Sequence, residues 1–365
     1  MLRNFRALCS LPGWIIFSRC GGVRAVALEW RGLFYWLLGC SVCMLVASLP
    51  ATAVDSGFRW EQLLSDSETE LDLSWQSLRW NDWQFNDGKL AVVGEWTIVE
   101  GRLVWLLTVP LDALGVVNES TDLRVESVSG KLQLKLDTAM SLQTQGFQQL
   151  DIERVVAGDF EATRIGMRFE MSDAYSLRVE QLAFDYAGGR IHLDPFTWNP
   201  ETESLSLSLR LEAINMQHLA ELLPDWGFTA AGKMDGRVVI RLSSDGLDLL
   251  PGSLRYVAES KGRIRYRNEG WLTRGRVADT QARVLRAAEE AFADLELEQL
   301  ELQIHGFEQS GPQAVLEIAG QGWSQELNTS VPVRMQINLS FSRREIESLP
   351  LFQFLNDGFF STSNR

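Results

Sequence analysis

The strongest constraint on the fold is a period-two alternation of apolar and polar residues that recurs after residue 70. It is complete over residues 205–211, where leucine occupies every second position and serine or arginine the others. Residues 131–136 and 335–341 repeat the pattern. Because successive side chains of a β-strand point to opposite faces, each stretch predicts one apolar and one polar face. The pattern favours antiparallel sheet with one solvated face.

Turn-forming residues separate the apolar runs at short intervals. These signals are Asn86-Asp87-Gly88, Gly188-Gly189, Asn199-Pro200, Asp245-Gly246 and Pro251-Gly252. Their spacing predicts roughly 15 or more strands joined by short connections.

Three short helices are predicted among the strands. Asn215 predicts an N-cap for a helix that Pro224 ends. Residues 277–295 contain neither Gly nor Pro and predict the longest helix, while residues 345–356 predict a third that Pro350 interrupts. The apolar face of the longest helix is predicted to consist of Val277, Val284, Leu285, Ala288, Phe292 and Leu295. The predicted fold class is therefore mainly β, with a few short helices.

Charge is divided unevenly along the chain. The formal net charge is −14, yet residues 1–53 carry five arginines and one glutamate, a net charge of +4. The remainder therefore carries −18. An acidic body lacks the clustered Lys and Arg that bind phosphate backbones or anionic membrane surfaces. Nucleic-acid binding is excluded, and so is membrane adhesion through charge alone.

An uncharged apolar segment follows the basic N-terminus. No charged residue occurs between Arg31 and Asp55, and the 17 residues before Pro50 would extend about 25 Å as a helix, enough for a thin bilayer core. Positive charge on its N-terminal side alone predicts a cytoplasmic leader at 1–32 and an inner-membrane anchor at 33–53. The body then lies across the membrane, which in a bacterium is the periplasm.

Two other fates of this segment stay open. Ala51-Thr52-Ala53 resembles a signal-peptidase site, and cleavage after Ala53 would release a soluble periplasmic body. The residues that end at Cys40 resemble a lipidation motif. An uncleaved anchor is the prediction, and the cleaved signal is its main alternative.

Motifs for catalysis or metal binding do not occur in the sequence. All four cysteines precede residue 44, so the body has no thiol for a disulfide, a zinc site or a nucleophile. His192, His218 and His305 are far apart, and none belongs to a metal-binding motif. We therefore predict that the protein is not an enzyme and uses no cofactor or metal ion.

Residues 215–266 combine a short helix, glycine turns and a meander of apolar strands. Their pattern is G-x-x-x-G, an apolar strand, D-G, G-x-L and then G-x-I-x-Y. It resembles the C-terminal domain of the YdbH family of AsmA-like proteins, formerly called a dicarboxylate transport domain, and the likeness extends over roughly residues 178–345. The matching residues are Gly232, Gly236, Asp245, Gly246, Gly252, Leu254, Gly262, Ile264 and Tyr266.

This resemblance implies a protein of intermembrane phospholipid transport. The expected fold is a long, curled antiparallel sheet after one N-terminal apolar helix, and its apolar groove would carry acyl chains between the inner and outer membranes. A small outer-membrane lipoprotein is the implied partner. Candidates for the groove lining are the alternating leucines of two strands, with plain core packing beneath the helices as the alternative. They are Leu132, Leu134, Leu136, Leu205, Leu207, Leu209 and Leu211.

The length of such a sheet limits what one chain can do alone. Roughly 15 strands about 4.8 Å apart would extend about 70 Å. We expect that to be too short to join two membranes, so the chain is predicted to associate with itself or with a partner through a sheet edge.

The predicted organisation has a Trp-rich β region between the membrane segment and the YdbH-like domain. Its tryptophans fit cross-strand packing or a belt at the membrane–water interface. The parts are the leader 1–32, the membrane segment 33–53, the Trp-rich region 54–177, the YdbH-like domain 178–345 and a tail 346–365. Two other functions stay open: a non-conducting scaffold or envelope-assembly protein with the same fold, and a solute-binding or carbohydrate-active β protein.

Overall fold

The structure is a computed structural model that describes the chain from residue 68 to residue 360 with short gaps. The described ranges are 68–80, 83–99, 102–118, 122–137, 142–172, 176–199, 204–221, 228–243, 246–266, 280–307, 313–340 and 342–360. The predicted leader and membrane segment lie outside them, as does Asp245. Within these ranges no helix is both long enough and apolar enough to cross a bilayer.

In the described part of the chain, eighteen β-strands form one sheet, which confirms the predicted mainly β fold and the expected strand number. The strands are β1 (Glu68–Trp80), β2 (Trp83–Val99), β3 (Arg102–Asn118), β4 (Leu123–Asp137), β5 (Leu142–Thr144), β6 (Gln148–Ala157), β7 (Phe160–Met171), β8 (Leu177–Tyr186), β9 (Gly189–Leu193), β10 (Phe196–Trp198), β11 (Ser204–Asn215), β12 (Phe228–Ala231), β13 (Lys233–Ser243), β14 (Gly246–Tyr256), β15 (Arg263–Tyr266), β16 (Asp294–Ile304), β17 (Ala314–Ser324) and β18 (Thr329–Leu339).

The sheet is an antiparallel meander in which each long strand pairs with the next. The order along it is β1, β2, β3, β4, β6, β7, β8, β9, β11, β13, β14, β16, β17 and β18. The short strands β5, β10 and β15 add to β4, β8 and β16, and β12 pairs with β15. No pairing joins β1 to β18 in the described part of the chain, so this large sheet is open.

Over the ranges given above, the chain also forms four α-helices: α1 (Met216–Glu221), α2 (Thr280–Ala293), α3 (Arg343–Glu347) and α4 (Pro350–Phe360). The Asn215 side chain accepts a hydrogen bond from the Gln217 N–H at 3.0 Å, which confirms the predicted cap of α1. Pro350 begins α4, so the break predicted between the last two helices is also confirmed.

The longest helix, α2, is shorter than predicted. It ends at Ala293, and Leu295 belongs to β16, because the alternation of acidic and leucine residues from 294 onward favours strand over helix. The predicted apolar face is wrong at Val284, which is 62% exposed, whereas Ala287 and Ala291 are buried. Among the side chains of α2 that the structure describes, from residue 283 onward, the buried ones lie in the second half of the helix.

Two predicted turns are wrong, because both lie inside strands. Asn86-Asp87-Gly88 is part of β2, and Pro251-Gly252 is part of β14. At Pro251 the register between β13 and β14 shifts between Arg237 and Val239. The extra residue forms a bulge, a position that tolerates a proline within a sheet.

The chain divides into two compact units. The unit Trp60–Phe352 contains the whole sheet together with α1, α2 and α3. The other consists of Met1–Arg59 and Gln353–Arg365, and its only described part is the section of α4 from residue 353 to 360.

Candidate functional site

One side of the sheet carries an unbroken row of residues that are apolar or glycine, and we call this side the apolar face. Residues that oppose each other in adjacent antiparallel strands point to the same side, so the register identifies its members. The row runs from β4 through β11 to the edge strand β18. Its successive members are Gly130, Leu150, Met167, Leu182, Leu193 and Leu209, then Leu211, Gly236, Leu254, Leu302, Leu316 and Ile337.

This row crosses eleven strands without interruption. At about 4.8 Å between strands, it extends roughly 48 Å along the sheet. Several members of the row are buried, among them Leu150 (1% exposed) and Leu254 (6% exposed), so the row is apolar along its whole length and accessible at part of it.

All seven leucines predicted for the groove lie on the apolar face. On β4, Leu134 opposes Leu107 of β3, and Leu132 and Leu136 share its side. On β11, Leu207 opposes Ile240 of β13, and the other candidates alternate with it. The two groups share a face but lie five strand spacings apart, roughly 24 Å along the sheet.

Six of these seven leucines are buried, and we call them the closed section of the apolar face. Their exposed fractions are 1% for Leu132, 0% for Leu134, 8% for Leu136, 4% for Leu205, 1% for Leu207 and 1% for Leu209. The seventh, Leu211, is half-buried. The closed section thus has the burial of a hydrophobic core.

At its C-terminal end the same face contains both buried residues, such as Ile318 (3% exposed) and Val333 (9% exposed), and half-buried ones. We call the half-buried residues Leu302, Leu316, Met335, Ile337 and Leu339, on β16, β17 and β18, the open section. Leu316 directly opposes Leu302 on one side and Ile337 on the other. None of these five residues was among the predicted groove candidates, although the alternation over residues 335–339 already placed three of them on one face.

The glycines of the family pattern allow close approaches between strands. A Cβ atom on Gly236 would lie 2.1 Å from the Ser253 oxygen, and one on Gly252 would lie 2.5 Å from the Arg237 oxygen. Gly232 has a φ of +116°, and a Cβ there would lie 2.9 Å from the Cα of Gly262. Any side chain at these positions would push the backbones apart.

The remaining residues of the pattern stabilise the same region. Leu254 and Ile264 are buried, with exposed fractions of 6% and 4%. The hydroxyl of Tyr256 accepts a hydrogen bond from the Gly262 N–H. The Tyr266 ring lies 5.6 Å from the Phe292 ring of α2, measured between centroids. The described residues of the pattern thus determine how closely the strands approach and how α2 packs on the sheet.

Helix α2 packs on the sheet next to the open section. A Cβ atom on Gly322 would lie 1.8 Å from the Ala291 oxygen, so glycine allows the helix to lie directly on β17. Glu290 of α2 accepts hydrogen bonds from the Glu326 N–H at 2.9 Å and the Ser324 hydroxyl at 2.8 Å. These donors, above all the Glu326 N–H, hold the pKa of Glu290 below its usual range.

The polar face carries cross-strand ion pairs that use many of the acidic side chains. Arg237 and Arg210 both lie within 3.6 Å of Asp194, and Arg255 lies 3.1 Å from Glu301. Hydrogen bonds from Arg263 are the main cause that lowers the pKa of Asp294. No cluster of three or more metal-ligating side chains occurs among the described residues.

Comparison with known families matches residues 50–286 to the YdbH-like family, described as intermembrane phospholipid transport protein YdbH. The match begins far before residue 178 and ends within α2, so the resemblance covers more of the N-terminal half than the sequence pattern indicated. No curated protein and no solved structure matches the chain.

Proposed function

The chain belongs to the YdbH-like family of intermembrane phospholipid transport proteins, and on this premise we propose that it shields phospholipid acyl chains on its apolar face. The family places the protein in the cell envelope. The observation that carries the proposal is the continuity of the apolar face over eleven strands.

The physical need for such a surface is large. Two acyl chains together hold about 30 methylenes, and exposing each to water costs about 0.8 kcal/mol, or about 25 kcal/mol in all. A continuous apolar surface lowers this barrier without any chemical reaction. A protein of this kind needs no catalytic residue and no metal ion.

Acyl chains first contact the open section in this proposal. Leu302, Leu316 and Ile337 form a directly opposed row that solvent partly reaches. The closed section takes up acyl chains only when the protein packed against it moves away, because its leucines already have nearly complete contact with protein. Entry at the open section therefore requires the smaller rearrangement.

The expected anchoring and partners complete the proposal. Residues 33–53 hold the body at the inner membrane, or are cleaved after Ala53, and the body lies in the periplasm. The chain acts as one segment of a longer path and associates through a sheet edge with a second copy or with a small outer-membrane lipoprotein. The edge strand β18 supports this, because the apolar face reaches it with Met335, Ile337 and Leu339 still half-buried.

Lipid that co-purifies with the protein tests the proposal directly. The full chain is extracted from bacterial membranes, and bound phospholipid is measured by mass spectrometry. We expect stoichiometric phospholipid and at least a severalfold loss in Ile337→Asp, which places a charge in the open section. Gln336→Asp is the matched control, because this neighbour on the same strand points to the polar face. Absence of lipid from the folded wild-type protein would contradict the proposal.

A non-conducting scaffold is the second candidate function. The observation that favours it is the nearly complete burial of the closed section, which is the packing of a structural core. A scaffold would purify without lipid, and Ile337→Asp would leave its association with other envelope proteins unchanged. The lipid measurement therefore separates the two functions.

A further inference from the structure

Exposed large apolar side chains are concentrated at one end of the β17–β18 hairpin. Among the described side chains, five large apolar ones are strongly exposed, and three of them lie here: Trp323 at 57%, Leu327 at 44% and Val284 at 62%. Residues 323–328, together with Val284 of α2, form what we call the hairpin tip. The other two, Val93 and Ile98, lie on β2.

Several contacts hold α2 and the turn of the hairpin together. The Arg283 side chain lies 2.9 Å from a Glu326 carboxylate oxygen. Ser324 Oγ donates to Glu290 at 2.8 Å and accepts from the Leu327 N–H at 3.3 Å. Because α2 is bonded to Ser324 and Glu326 in this way, the helix and the turn hold the exposed side chains in a defined arrangement.

The three apolar side chains lie on different sides of the hairpin tip. Gly322 faces α2, so the next residue, Trp323, points to the polar side of the sheet. Val284 lies on the helix itself, on the other side, and Leu327 lies in the turn between the strands. A flat protein partner would cover only one of these sides, whereas a bilayer that receives the tip end-on surrounds all three.

The charges at the hairpin tip are already compensated within the protein. Arg283 pairs with Glu326, and Glu290 accepts donors from the turn. Immersion in the headgroup region would therefore not strip water from an isolated charge. Tryptophan has a marked preference for this region, because its ring is apolar and its N–H is polar.

We propose that the hairpin tip is a membrane-contact site, which inserts Trp323, Leu327 and Val284 into the headgroup region of a bilayer. The inference rests on the proposed function, because contact there brings the adjacent open section beside the membrane with which lipid is exchanged. Val331 opposes Gly322 near the tip, and the open section begins two alternate positions further along the same side of β18, at Met335. The insertion is apolar in origin, so it requires neither anionic lipid nor low salt.

A fluorescent probe on the full chain tests this contact. The four native cysteines are replaced by serine, and an environment-sensitive fluorophore is attached at Leu327→Cys. The protein is reconstituted in nanodiscs and mixed with phosphatidylcholine vesicles that contain doxyl-labelled lipid. The matched control is Asp159→Cys, in the exposed turn between β6 and β7.

We expect a blue-shifted emission and quenching by the vesicles at Leu327→Cys, unchanged by high salt, and neither effect at Asp159→Cys. Adding Trp323→Ser and Val284→Ser to the labelled protein should weaken vesicle association roughly tenfold. Ile98→Ser, which removes an even more exposed side chain (71%) from β2, should not weaken it.

Absence of quenching at Leu327→Cys, or equal quenching at both labelled positions, would overturn the membrane-contact site. Co-purified phospholipid distinguishes this failure from that of the proposed function. A protein that retains lipid without quenching keeps the transport proposal and loses the contact site. A protein whose fluorophore is quenched but that retains no lipid keeps the contact site and loses the transport proposal.

Discussion

The closed and open sections of the apolar face have the same strand pattern and different exposure. On β11, Leu207 and Leu209 are each 1% exposed. On β17 and β18, Leu316 and Ile337 occupy equivalent positions of the alternation and are half-buried. Residue type and period are alike, so the difference arises from what packs against each position: Ile318, on the same face of β17 as Leu316, is only 3% exposed. Strand β17 pairs on both sides, with β16 and β18, so strand pairing does not account for the difference.

This difference separates stability from ligand contact. Side chains of the closed section contribute mainly to the free energy of unfolding, because protein atoms surround them. Those of the open section contribute less to stability and remain available to an acyl chain. Substitutions in the closed section should therefore mainly lower the free energy of unfolding, and substitutions in the open section should mainly reduce lipid binding. The effects on stability should be the larger ones.

The largest expected effect is that of a charge in the closed section. Leu207→Asp buries a carboxylate without a partner and should lower the free energy of unfolding by at least about 4 kcal/mol. Ile337→Asp should lower it by only about 1 kcal/mol, because solvent reaches that position. Urea denaturation of the two variants measures both values. Equal destabilisation would show that the two sections do not differ.

The next largest loss of stability is expected where α2 packs against β17, beside the open section. Gly322→Ala places a methyl group against the Ala291 oxygen, which belongs to backbone and must move, so we expect a loss of about 2 kcal/mol. Gly166→Ala is the control, since its Cβ would lie 3.6 Å from the nearest neighbouring atom. Thermal unfolding of both variants tests the prediction, and a neutral Gly322→Ala would refute the close packing of the helix.

The carboxylate of Glu290 should add a smaller, acid-sensitive contribution. Its folded pKa lies below the usual value of 4.5, so its contribution is complete above that pH and is lost as the pH falls through the folded pKa. Glu290→Gln should destabilise the protein by about 1 kcal/mol at neutral pH, and the difference from wild type should shrink in acid. Stability curves against pH measure this. Glu317→Gln, on the polar face of β17, is the control.

The smallest effect on stability is expected for ion pairs on the polar face. Arg255→Gln removes a pair with Glu301 that is 70% exposed on the arginine side. Such a pair contributes less than about 1 kcal/mol, and its contribution is screened by salt. In denaturation experiments, the free energy of unfolding of Arg255→Gln should be slightly below that of the wild type at low salt. At high salt the two values should be equal. A large loss of stability that does not depend on salt would contradict this prediction and would show that the polar face contributes substantially to the stability of the sheet.

Much of the sheet was predictable because β-strand periodicity is a local property. The alternation correctly gave the strands of Leu134 and Leu207 one apolar face each, and the register of the strands between them shows that the two faces lie on the same side of the sheet. The bulge at Pro251 was not predictable, since a proline–glycine pair is also a strong turn signal. Its role depends on β13, whose register the local sequence does not specify.

The sequence did not identify the open section as part of the groove, for a related reason. Ile337 and Leu207 have the same local pattern, so nothing in the pattern shows that one lies on an edge strand and the other in the interior. The exposure of Val284 likewise depends on how far α2 extends over the sheet, and this is set by the contact between Ala291 and Gly322. Long-range packing decides both.

Site-specific photocrosslinking in living bacteria tests most directly whether the apolar face carries phospholipid. A photoreactive phenylalanine derivative replaces Ile337 in the open section, and the same residue replaces Gln336 on the polar face as the matched control. We predict phospholipid crosslinked at position 337 and none at position 336. A folded protein in which position 337 captures no phospholipid, or captures no more than position 336, would contradict the account.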